Sequence, residues 1–258
     1  MSGIGKLKAD FESVLKNIPL ILYEETDSTN DAAKEFAKAT RAKSPAVFIA
    51  ARQRAGRGRL GRSFSSEQGG LYMSYLSYPE TRPEDAIRLT VYAAVCVCKT
   101  VEEMTGASPK IKWINDVWLG GRKISGILTE GAFSEDGSRF AYAVTGIGVN
   151  IRKREFCSEL SGIATDIESE CGIRLSIGQF AARLTEKLSA FESADPAVYM
   201  NEYRERCFII GRKIKVISTE GEYTATARDV SDDGFLTVER ENGEICHLFA
   251  GEVSLKIN

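Results

Sequence analysis

The amino-acid sequence predicts an α+β fold in two parts, and two observations support this prediction. Over roughly the first 206 of the 258 residues, short apolar runs typical of strands alternate with longer segments of helical periodicity. From Gly211 onward the pattern changes to five short strands separated by turn signals such as DDG and NG. We therefore predict a large domain at residues 1–208 and a small β-barrel domain at residues 209–258.

Three helices are predicted in the first hundred or so residues. Residues 6–17 have amphipathic periodicity, and residues 84–104 carry a centre, VYAAVCVC, that is apolar enough to be largely buried. The helix between them begins near Ser28, because Ser28 and Asp31 have the S-x-x-D spacing of a capping box.

Strands are predicted between and after these helices. Each is a run of apolar, aromatic or β-branched residues bounded by turn residues. In chain order the runs are PLILYEE, AVFIAAR, GLYMSYLSY, KIKWINDVWL, KISGILTEGAF and FAYAVTGIGVN. Short glycine turns join the last three, which predicts an antiparallel meander. Two helices, at residues 177–193 and 197–206, complete the large domain.

The segment KWINDVWL is interpreted as one continuous strand. An Asn-Asp pair is common in turns, but the aromatic and β-branched neighbours of Asn115 and Asp116 favour a strand. Alternation along that strand would send the two polar side chains to opposite faces, and each would need a polar partner.

Composition excludes several classes of function. The chain carries 34 Lys and Arg against 36 Asp and Glu, a net charge of −2, which disfavours a general nucleic-acid binder. No apolar run approaches the roughly 18 residues of a membrane span, and the six cysteines form no C-x-x-C pair, so we expect a cytoplasmic protein in a reducing compartment. With His247 as the single histidine, a Ser-His-Asp triad is not predicted.

Positive charge is concentrated in one segment, ARQRAGRGRLGRSF, at residues 51–64. It holds five arginines interleaved with three glycines and contains no acid. Guanidinium groups bind carboxylates and phosphates through paired hydrogen bonds, and glycine leaves backbone N–H groups accessible, so the pattern favours a clamp for a polyanionic ligand. A solvated basic loop or an RNA-binding tail are the alternatives, although the core-like strands on both sides argue against a tail.

Two further segments carry candidate functional residues. Lys123 follows the Gly120-Gly121 turn beside apolar ISGIL, where charge alone slightly favours an ordinary surface lysine. In GIGVNI, residues 146–151, two glycines allow close backbone approach, and Asn150 lies at the end of the predicted strand.

Five segments together resemble the signature of biotin protein ligases: DSTN, QRAGRGRLGRSF, KWINDV, GRKISGIL and GIGVNI, in this order. The resemblance implies a catalytic domain like that of class II aminoacyl-tRNA synthetases, with a central mixed sheet, followed by an SH3-like barrel. Bifunctional members of the family begin with a DNA-binding domain. Here 27 residues precede Ser28, which implies a ligase without repressor function and with no DNA partner.

The resemblance also implies a reaction. Biotin's carboxylate attacks the α-phosphate of ATP, with a magnesium ion, to give biotinyl-5′-AMP and pyrophosphate. A lysine of a biotin carboxyl carrier protein then displaces AMP. A cationic loop that closes over the ligands would stabilise the anions and keep water from the mixed anhydride. The resemblance implies no membrane partner and leaves monomer and homodimer open.

Site residues follow from the same resemblance. Catalytic roles fall to Lys123, Arg59 and Asp116, with Asp116 also the candidate metal ligand. Biotin would be bound by Ser28, Thr29, Gln53, Gly56, Arg57, Arg59, Lys123 and Gly126. The nucleotide would be bound by Arg62, Phe64, Asn115, Lys123 and Asn150. Phe64 replaces a tryptophan that is frequent in the family, and Leu60 replaces a polar or basic residue to which we assign no mechanism.

Two alternatives come from different classes. A lipoate–protein ligase shares the catalytic fold and the adenylation chemistry but generally lacks the arginine loop. A non-enzymatic RNA-binding protein would use that loop with the C-terminal barrel, would bind RNA with a steep salt dependence, and would leave Asp116, Lys123 and GIGVN without a role.

Overall fold

The computed structural model describes residues 3–40, 43–82, 86–218, 221–249 and 252–255. The helices in these ranges are α1 (Gly3–Glu12), α2 (Thr29–Ala39), α3 (Ala86–Thr105), α4 (Ile167–Cys171), α5 (Ile177–Ser189) and α6 (Pro196–Arg206). The strands up to residue 150 are β1 (Leu20–Thr26), β2 (Ala46–Gln53), β3 (Gly70–Ser77), β4 (Lys110–Lys112), β5 (Asp116–Leu119), β6 (Arg122–Phe133) and β7 (Phe140–Asn150). The remaining strands are β8 (Lys213–Ser218), β9 (Gly221–Val230), β10 (Leu236–Arg240), β11 (Ile245–Leu248) and β12 (Glu252–Leu255).

The first seven strands form one mixed sheet in the order β1-β2-β3-β7-β6-β5-β4. Strands β1 and β2 are parallel, with α2 as the connection between them, and every other neighbouring pair is antiparallel. The predicted meander of β5, β6 and β7 is confirmed.

Alternation along the central strands divides the core between the two faces of this sheet. On β2, Val47 and Ile49 belong to the large cluster that includes residues of α3 and α5, whereas Phe48 belongs to a smaller cluster around Ala33 of α2. On β7, Val144 faces α2 in the same way. The α2 helix is short, so it covers only part of its face, and the rest is available for a site.

The C-terminal strands form a separate antiparallel sheet in the order β11-β10-β9-β8-β12, which agrees with the five strands predicted from the sequence. This C-terminal part is joined to the preceding part of the chain by hydrogen bonds: the indole N–H of Trp113, in the turn after β4, donates to Gly234 O (3.0 Å), and Nε of Arg204, in α6, donates to Val230 O (2.5 Å). The two parts therefore pack together, while the domain division at residue 208 stays a prediction.

Several predicted boundaries differ from the observed ones. The first helix ends at Glu12 rather than at residue 17, and the helix predicted at 177–193 ends at Ser189, where a 3₁₀ turn, Phe191–Ser193, follows. The long third helix matches its prediction, with residues 84 and 85 outside the described ranges. The five-residue helix α4 was not predicted, because it is too short to show helical periodicity.

The interpretation of KWINDVWL as one strand is wrong. The segment forms two strands, β4 and β5, that pair with each other across a turn at residues 113–115, and the Trp113-Ile114 peptide bond is cis. Distant groups hold this turn: Tyr203 Oη donates to Ile114 O (3.0 Å), and the Asn115 side-chain amide donates to Ile127 O (2.9 Å). The preference of these residues for strands is a local property and contains no information about such distant partners.

Within the described ranges, no helix is both long enough and apolar enough to cross a membrane.

The Trp113 hydrogen bond provides a test of how strongly the C-terminal sheet supports the turn. We expect Trp113→Phe to lower the free energy of unfolding by about 1–3 kcal/mol more than Trp118→Phe, measured by denaturant titration. Trp113→Phe leaves the carbonyl of Gly234 without its donor, whereas the buried indole N–H of Trp118 has no hydrogen-bond partner among the residues that the structure describes. Equal losses for the two variants would contradict this role.

Candidate functional site

The floor of the site is a patch of glycines on the α2 face of the sheet. The antiparallel register places Ser74 opposite Gly146 and Tyr72 opposite Gly148 on one side of β7, and Gly126 of β6 opposite Gly148 on the other. A Cβ atom at Gly146 would lie 2.2 Å from Asn30 Oδ1, and one at Gly148 would lie 2.4 Å from the Phe64 ring. Glycine is therefore required at both positions for side chains to lie directly on the backbone.

One wall of the site is a chain of polar groups that links α2, β2 and β3. Gln53 Oε1 accepts from the backbone N–H of Thr29 (2.8 Å) and from its hydroxyl (3.0 Å), and Gln53 Nε2 donates to Ser66 Oγ (2.9 Å). The buried Ser74 hydroxyl lies 2.8 Å from Thr29 Oγ1 and 2.6 Å from Asn30 Oδ1. The wall is ordered by its own hydrogen bonds before any ligand binds.

The predicted capping box at the start of α2 is not formed. Ser28 is the N-cap residue and is 5% exposed, but its side chain makes no capping hydrogen bond. Asp31 instead accepts hydrogen bonds from Arg57 and an ion pair from Lys34. The start of the helix was predicted correctly. The S-x-x-D spacing did not indicate a capping box, because Asp31 pairs with the distant Arg57 instead.

The arginine loop is a hairpin that extends β2. Its two arms are joined by hydrogen bonds from Phe64 N to Gly56 O (2.8 Å) and from Gly58 N to Arg62 O (2.7 Å). Its tip is the 3₁₀ turn Arg59–Gly61, where Leu60 is 71% exposed and has a positive φ of 54°. The base of the hairpin is thus tied to the sheet, while the tip projects from it.

Phe64 lies on the glycine floor. Its ring would be 2.4 Å from a Cβ at Gly148 and 3.2 Å from one at Gly126, and it meets the Tyr72 ring edge-on at 6.4 Å between centroids. The ring is therefore well placed to contact a flat ligand on this floor.

Lys123 and Asp116 meet at the other side of the floor. Lys123 Nζ lies 2.6 Å from Asp116 Oδ1, and a Cβ at Gly126 would be 3.1 Å from the same Nζ. A bulge in the β5–β6 pairing produces this contact: Asp116 pairs with Gly126 and Trp118 with Lys123, so Ile124 is the extra residue. Because the bulge shifts the alternation by one residue, the lysine points to the site face.

Arg59 reaches the same corner from the hairpin tip. Its Nη1 lies 3.4 Å from Asn115 Oδ1, and Asn115 in turn exchanges backbone and side-chain hydrogen bonds with Ile127 of β6. Neighbouring residues of one turn, Asn115 and Asp116, therefore hold two cations, Arg59 and Lys123.

Asn150 occupies the end of β7, and the nitrogen and the oxygen of its side chain each have a partner. Its amide donates to Thr165 O (3.0 Å) and its carbonyl accepts from Arg154 Nη2 (2.8 Å). Arg154 also reaches Ser65 O (3.3 Å) and stacks on Phe156. Asn150 thus joins the segment after β7 to the arginine loop.

A magnesium ion fits this site only in part. Among the residues that the structure describes, no group of three or more His, Cys, Asp or Glu side chains could hold a metal ion. Mg²⁺ that arrives with ATP is commonly bound by phosphate oxygens, waters and one or two carboxylates, and Asp116 can supply one.

Comparison with known proteins shows the family. Residues 22–150, half of the chain, match the biotin/lipoate A/B protein ligase family, and residues 209–256 match the biotin protein ligase C-terminal domain. The chain belongs to this family. The ligase is 30% identical over 245 residues to the bifunctional ligase/repressor BirA of Bacillus subtilis, covering 92% of this chain and 74% of that one.

Two further relatives support membership of the same family. A biotin–[acetyl-CoA-carboxylase] ligase of Mycobacterium tuberculosis is 29% identical over 219 residues, covering 78% of this ligase and 79% of that one. The structure of the Aquifex aeolicus biotin protein ligase in complex with biotin and ATP superposes with a TM-score of 0.75 at 28% identity, covering 93% and 99% of the two chains. The predicted fold, a synthetase-like domain with a mixed sheet followed by an SH3-like domain, is confirmed.

The structure brings most of the predicted site residues of this ligase to one end of the sheet. Sequence reasoning missed three polar residues that hold them: Asn30, Ser74 and Glu130. Ser74 could have been found by writing out the β3–β7 register, because it falls opposite the first glycine of GIGVN. The contacts of Asn30 with Glu130 Oε2 (2.7 Å) and Leu128 O (3.2 Å) span about a hundred residues and left no local signal.

The contact between Phe64 and Gly148 can be tested by a double-mutant cycle. We expect Gly148→Ala to destabilise the fold by about 1–3 kcal/mol, because the new methyl group overlaps the Phe64 ring. In a Phe64→Ala background most of this cost should disappear in denaturant titrations. Gly58→Ala, whose methyl would meet Arg62 at an ordinary 3.6 Å, is the control. An undiminished cost in the Phe64→Ala background would show that the ring does not rest on Gly148.

Proposed function

We propose that this chain activates biotin with ATP to form biotinyl-5′-AMP and transfers the biotinyl group to a lysine of a biotin carboxyl carrier protein. The observation that carries the proposal is the convergence of Arg59 and Lys123 on Asn115 and Asp116 beside the glycine floor. Two cations at one corner suit a reaction that brings a carboxylate and a phosphate together.

The proposed pose follows from the groups around the floor. The ureido ring of biotin lies against Gly126, and Ser28, Thr29 and Gln53 supply polar contacts. The valerate chain follows the backbone of residues 56–59 towards Lys123. The nucleotide is proposed to contact Arg62, Phe64, Asn115 and Asn150. The side chain of Arg57, a predicted biotin contact, is paired with Asp31 in this structure, so its backbone is the group we assign to the ligand.

Adenylation joins one carboxylate oxygen of biotin to the α-phosphorus and releases pyrophosphate with the electrons of the broken P–O bond. Lys123 and Arg59 reduce the repulsion between the two anions and stabilise the negative charge that grows on the phosphoryl oxygens. A magnesium ion at Asp116 would supply further positive charge to the phosphates. Lys123 stays beside Asp116 through the short ion pair, which keeps its charge at the corner.

Transfer to the acceptor forms an amide bond and breaks the bond between the acyl carbon and AMP. The acceptor's lysine amine attacks the carbonyl carbon, loses a proton, and AMP leaves. The hairpin tip, by folding over the floor, would exclude water from the mixed anhydride until the acceptor docks. A cytoplasmic location is part of the proposal and is supported by the six cysteines, none of which forms a disulfide.

The family also includes ligases for lipoate, and this alternative stays open to a direct test. Two of the relatives named above are ligases for biotin, which favours biotin. Competition between labelled biotin and unlabelled lipoate for the purified protein distinguishes the two substrates.

Lys123 provides the first test of this function. We expect Lys123→Ala to lower biotin-dependent exchange of labelled pyrophosphate into ATP by about a hundredfold or more, as for loss of a preorganised donor to a phosphoryl transition state. Arg122→Ala is the matched control, because Arg122 is the adjacent cation and pairs with Glu170 (2.7 Å) away from the floor. Exchange that does not depend on biotin in the unaltered protein would refute the proposed function.

Arg59 provides a second test, which separates making the intermediate from retaining it. Arg59→Gly deletes a cation and adds chain entropy at the hairpin tip, so closure over the ligand becomes less favourable. We expect adenylation to persist at a reduced rate, biotinyl-5′-AMP to escape, and lysines of added albumin to become biotinylated. Complete loss of adenylation, or unchanged retention of the intermediate, would contradict a lid role for the tip.

A further inference from the structure

We propose that Asp31 and Glu130 are positioning residues that hold Arg57 and thereby fix the base of the arginine loop before any ligand binds. This inference rests on the proposed function for its meaning in catalysis, but the positioning itself is a property of the unliganded protein.

The grip on Arg57 is two-sided. Its Nη1 and Nη2 donate to the two oxygens of Asp31 at 2.5 and 2.7 Å, the paired geometry that makes a guanidinium–carboxylate contact strong. Nη2 also reaches Glu130 Oε2 at 3.3 Å. The two carboxylates stand on different rigid elements, the first turn of α2 and the middle of β6, so Arg57 cannot move with the tip of the loop without breaking both contacts.

Both carboxylates are themselves held in place. Glu130 accepts hydrogen bonds from Asn30 Nδ2 (2.7 Å) and Lys34 Nζ (3.0 Å), and Lys34 also pairs with Asp31 at 3.0 Å. The positive charges of Arg57 and Lys34 balance the negative charges of the two carboxylates. Arg57 is therefore neutralised within the protein, unlike a cation that waits for an anionic ligand.

Ionisation keeps the grip intact at physiological pH. The hydrogen bond from Arg57 lowers the pKa of Asp31 to about 2, against 3.8 for a free side chain. A depressed carboxyl pKa contributes stability that is present above the unfolded value and is lost as pH falls through the folded one, so the pair weakens only between about pH 4 and pH 2. The partners that face this carboxyl are Arg57 and Lys34, with Glu130 behind them.

The tip of the loop differs from the base in its backbone and its exposure. Beyond Arg57 the hairpin narrows to the exposed turn at Leu60, whose positive φ is unfavourable for a residue with a side chain. The side-chain contact between Arg59 and Asn115, at 3.4 Å, is long. With the base fixed through Arg57, the entropy that ligand binding must overcome is limited to the residues beyond Arg57.

Trypsin provides a test that does not depend on activity, because the loop itself contains its cleavage sites. Without ligands, we expect Asp31→Asn to accelerate cleavage after Arg57, Arg59 and Arg62 by about tenfold, a value kept modest because the pair is partly exposed. Intact-protein mass spectrometry follows the fragments. Lys34→Gln is the matched control: it removes a charge from the same network but leaves both acceptors of Arg57, so its loop should be cleaved within twofold of the unaltered rate.

Three further measurements complete the test. In an Arg57→Gln background, Asp31→Asn should add nothing to cleavage after Arg59 and Arg62, since its effect acts through Arg57. Asp31→Asn should also speed dissociation of biotinyl-5′-AMP severalfold, while thermal melting stays close to that of the unaltered protein. If Asp31→Asn does not fold, Glu130→Gln replaces it in each of these measurements, because Glu130 is the second carboxylate that contacts Arg57.

Two results would overturn the inference: loop cleavage in Asp31→Asn no faster than in Lys34→Gln, or an equal acceleration in the presence and absence of the Arg57 side chain. A failure of the proposed function would be detected separately, as pyrophosphate exchange that does not depend on biotin. The proteolysis result would not be affected by that outcome.

Discussion

The register of three antiparallel strands is the constraint on which the site depends. With β3, β7 and β6 aligned as they are, Gly146 and Gly148 fall beside Gly126, and the Phe64 ring can lie directly on the backbone there. A slip of one residue along β7 would turn the glycines into the core and expose Ile147 and Val149 at the site. The burial of those two side chains on the opposite face therefore also secures the position of the floor.

Charge in the arginine loop is divided between structure and chemistry. Arg52 pairs with Glu25, Arg54 with Asp27, and Arg57 with Asp31, so the arginines at the base of the loop face carboxylates of the protein. Arg59, at the tip, instead reaches Asn115 on the other side of the floor (3.4 Å), where we propose that it meets the ligand. A run that looks uniform in sequence thus contains two functional groups of residues, and only their neighbours in space distinguish them.

The sequence was a good guide where a signal is local and a poor one where it is not. Apolar runs located the strands of both sheets, and the five motifs meet around the glycine floor, while the roles of their residues stay a prediction. The turn at residues 113–115 was missed because its aromatic and β-branched residues favour strands, while its actual stability comes from Tyr203, Ile127 and Gly234. Asp31 was misassigned for a related reason: its spacing from Ser28 fits a cap, but Arg57 is the stronger partner for a carboxylate.

The hydrogen bond between Trp113 and Gly234 affects how early in synthesis the turn at residues 113–115 can be fully supported. A growing chain contains Trp113 long before it contains Gly234, which is 121 residues further on. Until that carbonyl has emerged and the C-terminal sheet has folded onto the turn, the corner that holds Asn115 and Asp116 lacks one of its supports. This corner is therefore completed late in synthesis, even though the glycine floor and the polar wall come from residues made earlier.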